Sequence, residues 1–229
     1  MLNFQQGGEN LKEFYPILQS CPLFEGIRGE DLPGLLGCLG AKMISAKKGQ
    51  VIFREGDAPT FVGVLLTGSV QLLREDYYGN RSIFTQIGPK QLFGESYAFS
   101  GAQALPVIVV ADEDSQILLL DGFRITARCS KDCEFHNRVI FNLLRVVATK
   151  NLVLHQKIQV TSKRTTREKL MAYLLHQAKL HGSNSFTIPY DRQALADYLE
   201  VDRSGLSAEI SKMRKEGIIE CDKSFFRLL

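Results

Sequence analysis

Apolar positions run through the chain in three different rhythms. From about 41 to 121, β-rich runs (VIF, FVGVLL, SVQLL, SIFTQI, PVIVVA, SQILLL) are separated by glycines at 49, 56, 68, 79, 88 and 94. Short strands at turn-punctuated intervals predict an antiparallel sandwich or barrel rather than alternating β/α units. The helical pattern over 11–39 predicts a cap packed on that barrel.

The second rhythm covers 132–163, which contains neither Gly nor Pro. Here Ile140, Leu144, Val147, Asn151, Leu154 and Ile158 recur at spacings of 4, 3, 4, 3 and 4, a heptad seam. The spacing predicts a helix that pairs with a second copy of itself, with Asn151 as the polar seam residue that fixes register. Val139, Leu143, Val146 and Val153 form a second apolar set, expected to lie on the barrel. A helix apolar on two faces needs two partners.

The third rhythm opens near 164. TTREKLMAYLLHQAKLHG reads as an amphipathic helix capped by Thr165 or Thr166 and closed by Gly182, and FTIP as a short strand. In DRQALADYLEVDRSGLSAEISKMRKEGIIECDKSFFRLL, a helix over 192–199, a tight turn over 200–202 and a helix over 203–216 capped by Asp202 follow one another. Leu195, Ala196, Leu199, Val201, Leu206, Ile210 and Met213 supply the buried side of a helix-turn-helix. IIEC and FFRLL then read as two strands of a wing. The predicted class is α+β, with an effector-sensing β-domain and its cap at 1–131, a dimerisation helix at 132–163 and a winged helix-turn-helix at 164–229.

Charge sharpens the reading of the last part. Of the 28 Lys+Arg and 25 Asp+Glu, residues 1–159 carry 16 of each, and 160–229 carry 12 against 9. The local excess suits a polyanion. Arg203, Ser204, Ser207, Ala208 and Ser211 are expected on the outer N-terminal side of the second helix. An arginine there can make a bidentate contact with guanine, and serine hydroxyls reach bases or phosphates. Thr187, Arg192 and Lys212 are placed to meet phosphates.

Other chemistries find little support. All four histidines (136, 155, 176, 181) lie outside the strand-rich region, which argues against a metal-dependent barrel enzyme. Cys21 and Cys38 are too few near the N-terminus for an iron–sulfur cluster. No catalytic residue, metal or cofactor is expected. The five scattered cysteines, the absence of an apolar run of about 18 residues and the non-basic start MLNFQQGGENLKEF all point to a cytoplasmic protein with no membrane span. Cys129 and Cys133, at i and i+4 near a helix start, are a candidate redox pair.

GQVIFREGD (49–57), FGE (93–95) and VDRSGLSAEISKMRKEGII (201–219) together resemble the cyclic-AMP receptor protein / fumarate-nitrate regulator (CRP/FNR) superfamily of bacterial transcription factors. The resemblance covers nearly the whole chain. It implies a cyclic-nucleotide-binding-like jelly roll, a homodimer on palindromic double-stranded DNA, control by a small effector, and RNA polymerase as a partner. It matches Arg203 to the arginine that reads a guanine and Arg192 to a phosphate contact. Two departures stand out: Glu200 where the turn usually has glycine, and Ala208 where the cyclic-AMP receptor has a second base-reading arginine.

In cyclic-nucleotide-binding relatives a Gly-Glu pair meets the ribose, and an Arg-Ser pair about eleven residues on neutralises the phosphate. Gly94 and Glu95 match the first pair, but the second falls on Leu105 and Pro106. A phosphate buried without a cation costs several kcal/mol, and proline offers no N–H. The expectation is a different effector in a pocket of Gly94, Glu95, Ser96, Tyr97, Phe99, Leu105 and Pro106. Glu95 would be its polar anchor, and Lys150, Leu154 and His155 of the long helix would lie nearby. A ligand- or redox-sensing module acting on a protein partner is the alternative.

Overall fold

The computed structural model describes residues 4–5, 11–75, 81–127 and 134–229. The chain divides into two compact units, Met1–Ala148 and Thr149–Leu229.

The first unit opens with β1 (Phe4–Gln5), α1 (Tyr15–Gln19) and α2 (Leu32–Cys38), with single 3-10 turns at Lys12–Phe14 and Pro22–Phe24. Strands β2 (Lys42–Ala46), β3 (Val51–Phe53), β4 (Phe61–Thr67), β5 (Val70–Glu75), β6 (Arg81–Ile87) and β7 (Leu92–Phe93) follow. Then come α3 (Glu95–Phe99), β8 (Ile108–Ala111), β9 (Ser115–Asp121) and α4 (Gly122–Thr126). Two antiparallel sheets form, in the orders β1-β2-β9-β4-β7 and β3-β8-β5-β6.

The runs FVGVLL and SQILLL are continuous rather than alternating because β4 and β9 are buried on both faces. Leu65, Ile117 and Leu119 face the other sheet, where Ile52, Val70, Leu72 and Val109 meet them. Val62, Val64, Leu66, Leu118 and Leu120 face the other way, into a cluster with Leu18, Phe24, Leu32 and Leu36 of the cap. The cap is thus a second core layer built on short helices. Sequence reading omitted β1, β2 and β7, which are short or lack a β-branched run. Gly94 (φ 81°) starts the single-turn helix α3.

Gly63 pairs with Phe93 across β4 and β7. A Cβ at Gly63 would stand 2.2 Å from Phe93 Cζ, so the phenyl ring lies directly on bare backbone.

The helix α5 (Glu134–Thr161) is 28 residues long. Asp132, Cys129 and Cys133 lie outside the described residues. Within the first unit, Val139 and Leu143 are buried and polar groups fix the rotation of the helix. Buried Asn142 donates to the carbonyls of Leu23 (3.0 Å) and Glu25 (2.9 Å). His136 Nε2 lies 2.8 Å from Arg124 O and 2.9 Å from Ile125 O, at the end of α4. Arg145 pairs with Glu25. Val153, which the pattern assigns to the barrel-facing set, belongs to the second unit and is 60% exposed.

The second unit holds the end of α5 followed by α6 (Thr166–His181), β10 (Ser185–Thr187), α7 (Arg192–Leu199), α8 (Arg203–Lys215), β11 (Ile219–Asp222) and β12 (Phe225–Leu228). Thr165 and Glu168 make a reciprocal capping box at the start of α6, and Gly182 closes it at φ 60°. The strands order as β10-β12-β11. Val160, Leu170, Tyr173, Leu195, Leu199, Leu206, Ile210, Met213 and Phe226 form one buried cluster.

Gly63→Ala is expected to destabilise the protein by about 1–3 kcal/mol through overpacking against Phe93. A lowered urea midpoint measures it, and Gly63→Ala/Phe93→Leu should recover part of the loss.

Candidate functional site

Two places in the fold have the shape of a site: the helix-turn-helix of the second unit and the interior of the roll in the first.

In the second unit, Asp191 caps α7 by accepting from Ala194 N (2.8 Å), and Asp202 caps α8 by accepting from Gly205 N (2.8 Å). The Ser204 hydroxyl, first, and the Gly205 N–H hold the Asp202 carboxyl below the usual carboxylate range. Between the caps, Glu200 adopts the left-handed conformation (φ 55°, ψ 55°), and Val201 N bonds back to Ala196 O at 3.0 Å. The turn therefore takes the shape that glycine would give it, at about 1 kcal/mol of backbone strain for a glutamate. Lys169 Nζ, reaching across from α6, donates to the carbonyls of Leu199 (3.1 Å) and Glu200 (3.2 Å). A cation there complements the negative end of α7.

Leu206, Ile210 and Met213 bury one side of α8, and Leu195, Ala196 and Leu199 bury the matching side of α7. The opposite side of α8 carries exposed Ser204, Ala208 and Ser211, with half-buried Ser207, and Arg203 stands exposed at its first turn. Two hydroxyls are already engaged locally: Ser204 with Asp202, and Ser211 with Ser207 O at 2.9 Å. Lys212 and Thr187 are exposed. Half-buried Arg192 lies on the wing, its Nη2 3.4 Å from Lys223 O and its guanidinium 5.8 Å from the Phe226 ring centroid. Arg167, at the start of α6, braces α8 through Glu216 and Glu209, the latter at 3.7 Å.

In the first unit, Phe53, Phe61, Phe93, Gly94, Tyr97 and Leu105 line a cavity of about 10 Å³. That is room for about one water, and none of the described lining residues is charged. The rings of Phe53, Phe61 and Tyr97 pack at the margin of the largely aliphatic core between the sheets. Of the residues expected there from the first unit, Glu95, Ser96, Phe99 and Pro106 are not among the described lining residues. Glu95, the first residue of α3, is 3% exposed, with Ser96 Oγ 3.5 Å from its Oε1. Phe99, at the end of α3, is exposed, and Pro106 is exposed between the buried Leu105 and Val107. Lys150, Leu154 and His155 are exposed residues of the second unit.

The six seam positions of α5 all face outward: Ile140, Leu144, Val147, Leu154 and Ile158 are 36–66% exposed, and Asn151 is exposed with them. Among the described residues no group of His, Cys, Asp or Glu is arranged to hold a metal ion, and no helix is long and apolar enough to cross a membrane. Burial pushes the Cys21 thiol up to about 11, which makes it a poor nucleophile.

Residues 43–132 match the cyclic nucleotide-binding domain family, and residues 168–229 match the Crp-like helix-turn-helix domain family. The chain belongs to the CRP/FNR family of transcription regulators. Members of this family are regulators, not enzymes. The transcriptional activator FnrL of Cereibacter sphaeroides is 26% identical over 184 residues, 76% of this chain and 71% of FnrL. A 24% identical match over 132 residues to potassium channel KAT1 of Oryza sativa subsp. japonica spans 58% of this chain and 18% of the channel. The structure of the c-di-GMP-responsive global regulator CLP from Xanthomonas campestris shares the fold, with a TM-score of 0.55, 15% identity and coverage of 88% of this chain and 99% of CLP.

Sequence reasoning singled out Glu200 only as a departure from glycine. It missed the partners of that residue, Lys157 and Lys169, because neither lies near it in the chain.

Proposed function

We propose that this CRP/FNR regulator is a cytoplasmic homodimer that reads a roughly palindromic DNA site with α8 and is controlled by a small effector other than a cyclic nucleotide. The exposed N-terminal face of α8, held outward by the buried Leu206, Ile210 and Met213, carries the reading. Arg203 contacts a guanine edge, Ser207 and Ala208 lie against neighbouring bases, and Arg192, Thr187 and Lys212 meet phosphates. Half-sites lie about one helical turn apart, near 34 Å, because both recognition helices enter one face of the duplex.

Pairing of α5 with a second copy explains why its heptad seam is apolar yet uncovered in the single chain. The cavity in the roll supports an uncharged, apolar effector. An anionic phosphate would meet no cation among the described lining residues. Binding then shifts the population between two arrangements of the dimer.

Arg203→Ala should cost roughly 1–3 kcal/mol and relax preference at one base position, whereas Arg192→Ala should weaken all sequences alike. Gel shifts against a duplex selected by the wild-type chain from a random library read both effects, and unchanged base preference in Arg203→Ala refutes the assignment. Leu144→Glu places a charge in the seam and should convert the dimer to monomer in sedimentation runs. Cyclic AMP at micromolar levels should leave the melting temperature unmoved; a clear rise overturns the exclusion of cyclic nucleotides.

A further inference from the structure

The turn between α7 and α8 is held by two lysines from outside the helix-turn-helix. Lys157, near the end of α5, places Nζ 3.6 Å from Glu200 Oε1 and 5.9 Å from the centroid of the Tyr198 ring. Tyr198 stacks on Tyr190 (5.2 Å) and packs against buried Tyr173 (5.2 Å), so the ring under Lys157 is itself fixed. Lys169 holds the backbone carbonyls of the same turn from the other side. Only the carboxylate contact depends on Glu200 not being glycine. A left-handed glutamate costs backbone strain that a glycine would not, and strain that persists calls for a compensating role.

We propose that Glu200 and Lys157 are positioning residues for DNA recognition, the ion pair fixing the angle of the α7–α8 turn against the end of α5. The proposal rests on the reading that α8 contacts bases. Neither residue touches DNA in this scheme. Lys157 holds Glu200 and Tyr198, these fix the turn, and the turn sets the angle at which Arg203 is presented.

A purely structural role and a positioning role make opposite predictions for Glu200→Gly. Glycine relieves the left-handed strain and should raise the urea midpoint of the full-length chain. Removing a negative charge beside a polyanion should also, by itself, tighten binding to any duplex. If Glu200 positions α8, the ratio of affinities for a selected duplex and a scrambled one should nonetheless fall about two- to fivefold, the size of one exposed ion pair. Lys157→Gln should lower the ratio similarly, and the exchange Lys157→Glu/Glu200→Lys should restore part of it.

The experiment measures urea midpoints and fluorescence-anisotropy affinities at two salt concentrations, with the duplex selected by the wild-type protein from a random library. A more stable Glu200→Gly chain with a reduced specificity ratio, partly recovered by the charge exchange, is the expected result. A more stable variant with an unchanged ratio overturns the positioning role alone. A wild-type chain that selects no duplex overturns the DNA reading beneath it.

Discussion

The second unit is organised by the burial of one side of α8. Leu206, Ile210 and Met213 are almost wholly removed from water against a cluster that includes Leu170, Leu195, Leu199 and Phe226. Three such side chains contribute several kcal/mol of hydrophobic free energy, more than any single polar contact on the helix. Their spacing at i, i+4 and i+7 fixes the rotation of the helix, so the small and polar residues at 204, 208 and 211 have no choice but to face solvent. The caps at Asp202 and Asp191 refine this arrangement, and Arg167 braces it.

The same logic acts twice on α5, with different outcomes. One face is anchored by apolar Val139 and Leu143 and by buried Asn142, whose amide satisfies two otherwise orphaned carbonyls of the cap. Those hydrogen bonds resist rotation more strictly than apolar contacts, because a buried amide turned away from its partners costs about 1–3 kcal/mol. With that face fixed, the heptad seam is left in water. An uncovered stripe of isoleucine, leucine and valine at heptad spacing is the physical basis for assigning a second copy as its partner.

The roll keeps the frame of the cyclic nucleotide-binding domain, with Leu105 and Pro106 where relatives carry an Arg-Ser pair. The direction of individual residues near the pocket was not legible in the sequence. Glu95 is buried in the single helical turn that the left-handed Gly94 starts, whereas Pro106 lies beyond it in an alternation where Leu105 and Val107 are buried and Pro106 is exposed.

Periodicity, caps and turn residues determined most of what the sequence could state by itself: the β-rich region, the long helix with its seam, and the helix-turn-helix with its wing. These are local signals, written within a few residues of the features they predict. Tertiary structure alone decided which residues from distant segments meet. Phe93 lies on the bare backbone of Gly63, Asn142 reaches the carbonyls of the cap, and Lys157 and Lys169 converge on the turn at Glu200. Such pairs leave no periodic trace, because the chain fixes side-chain direction along an element but not which element packs against it.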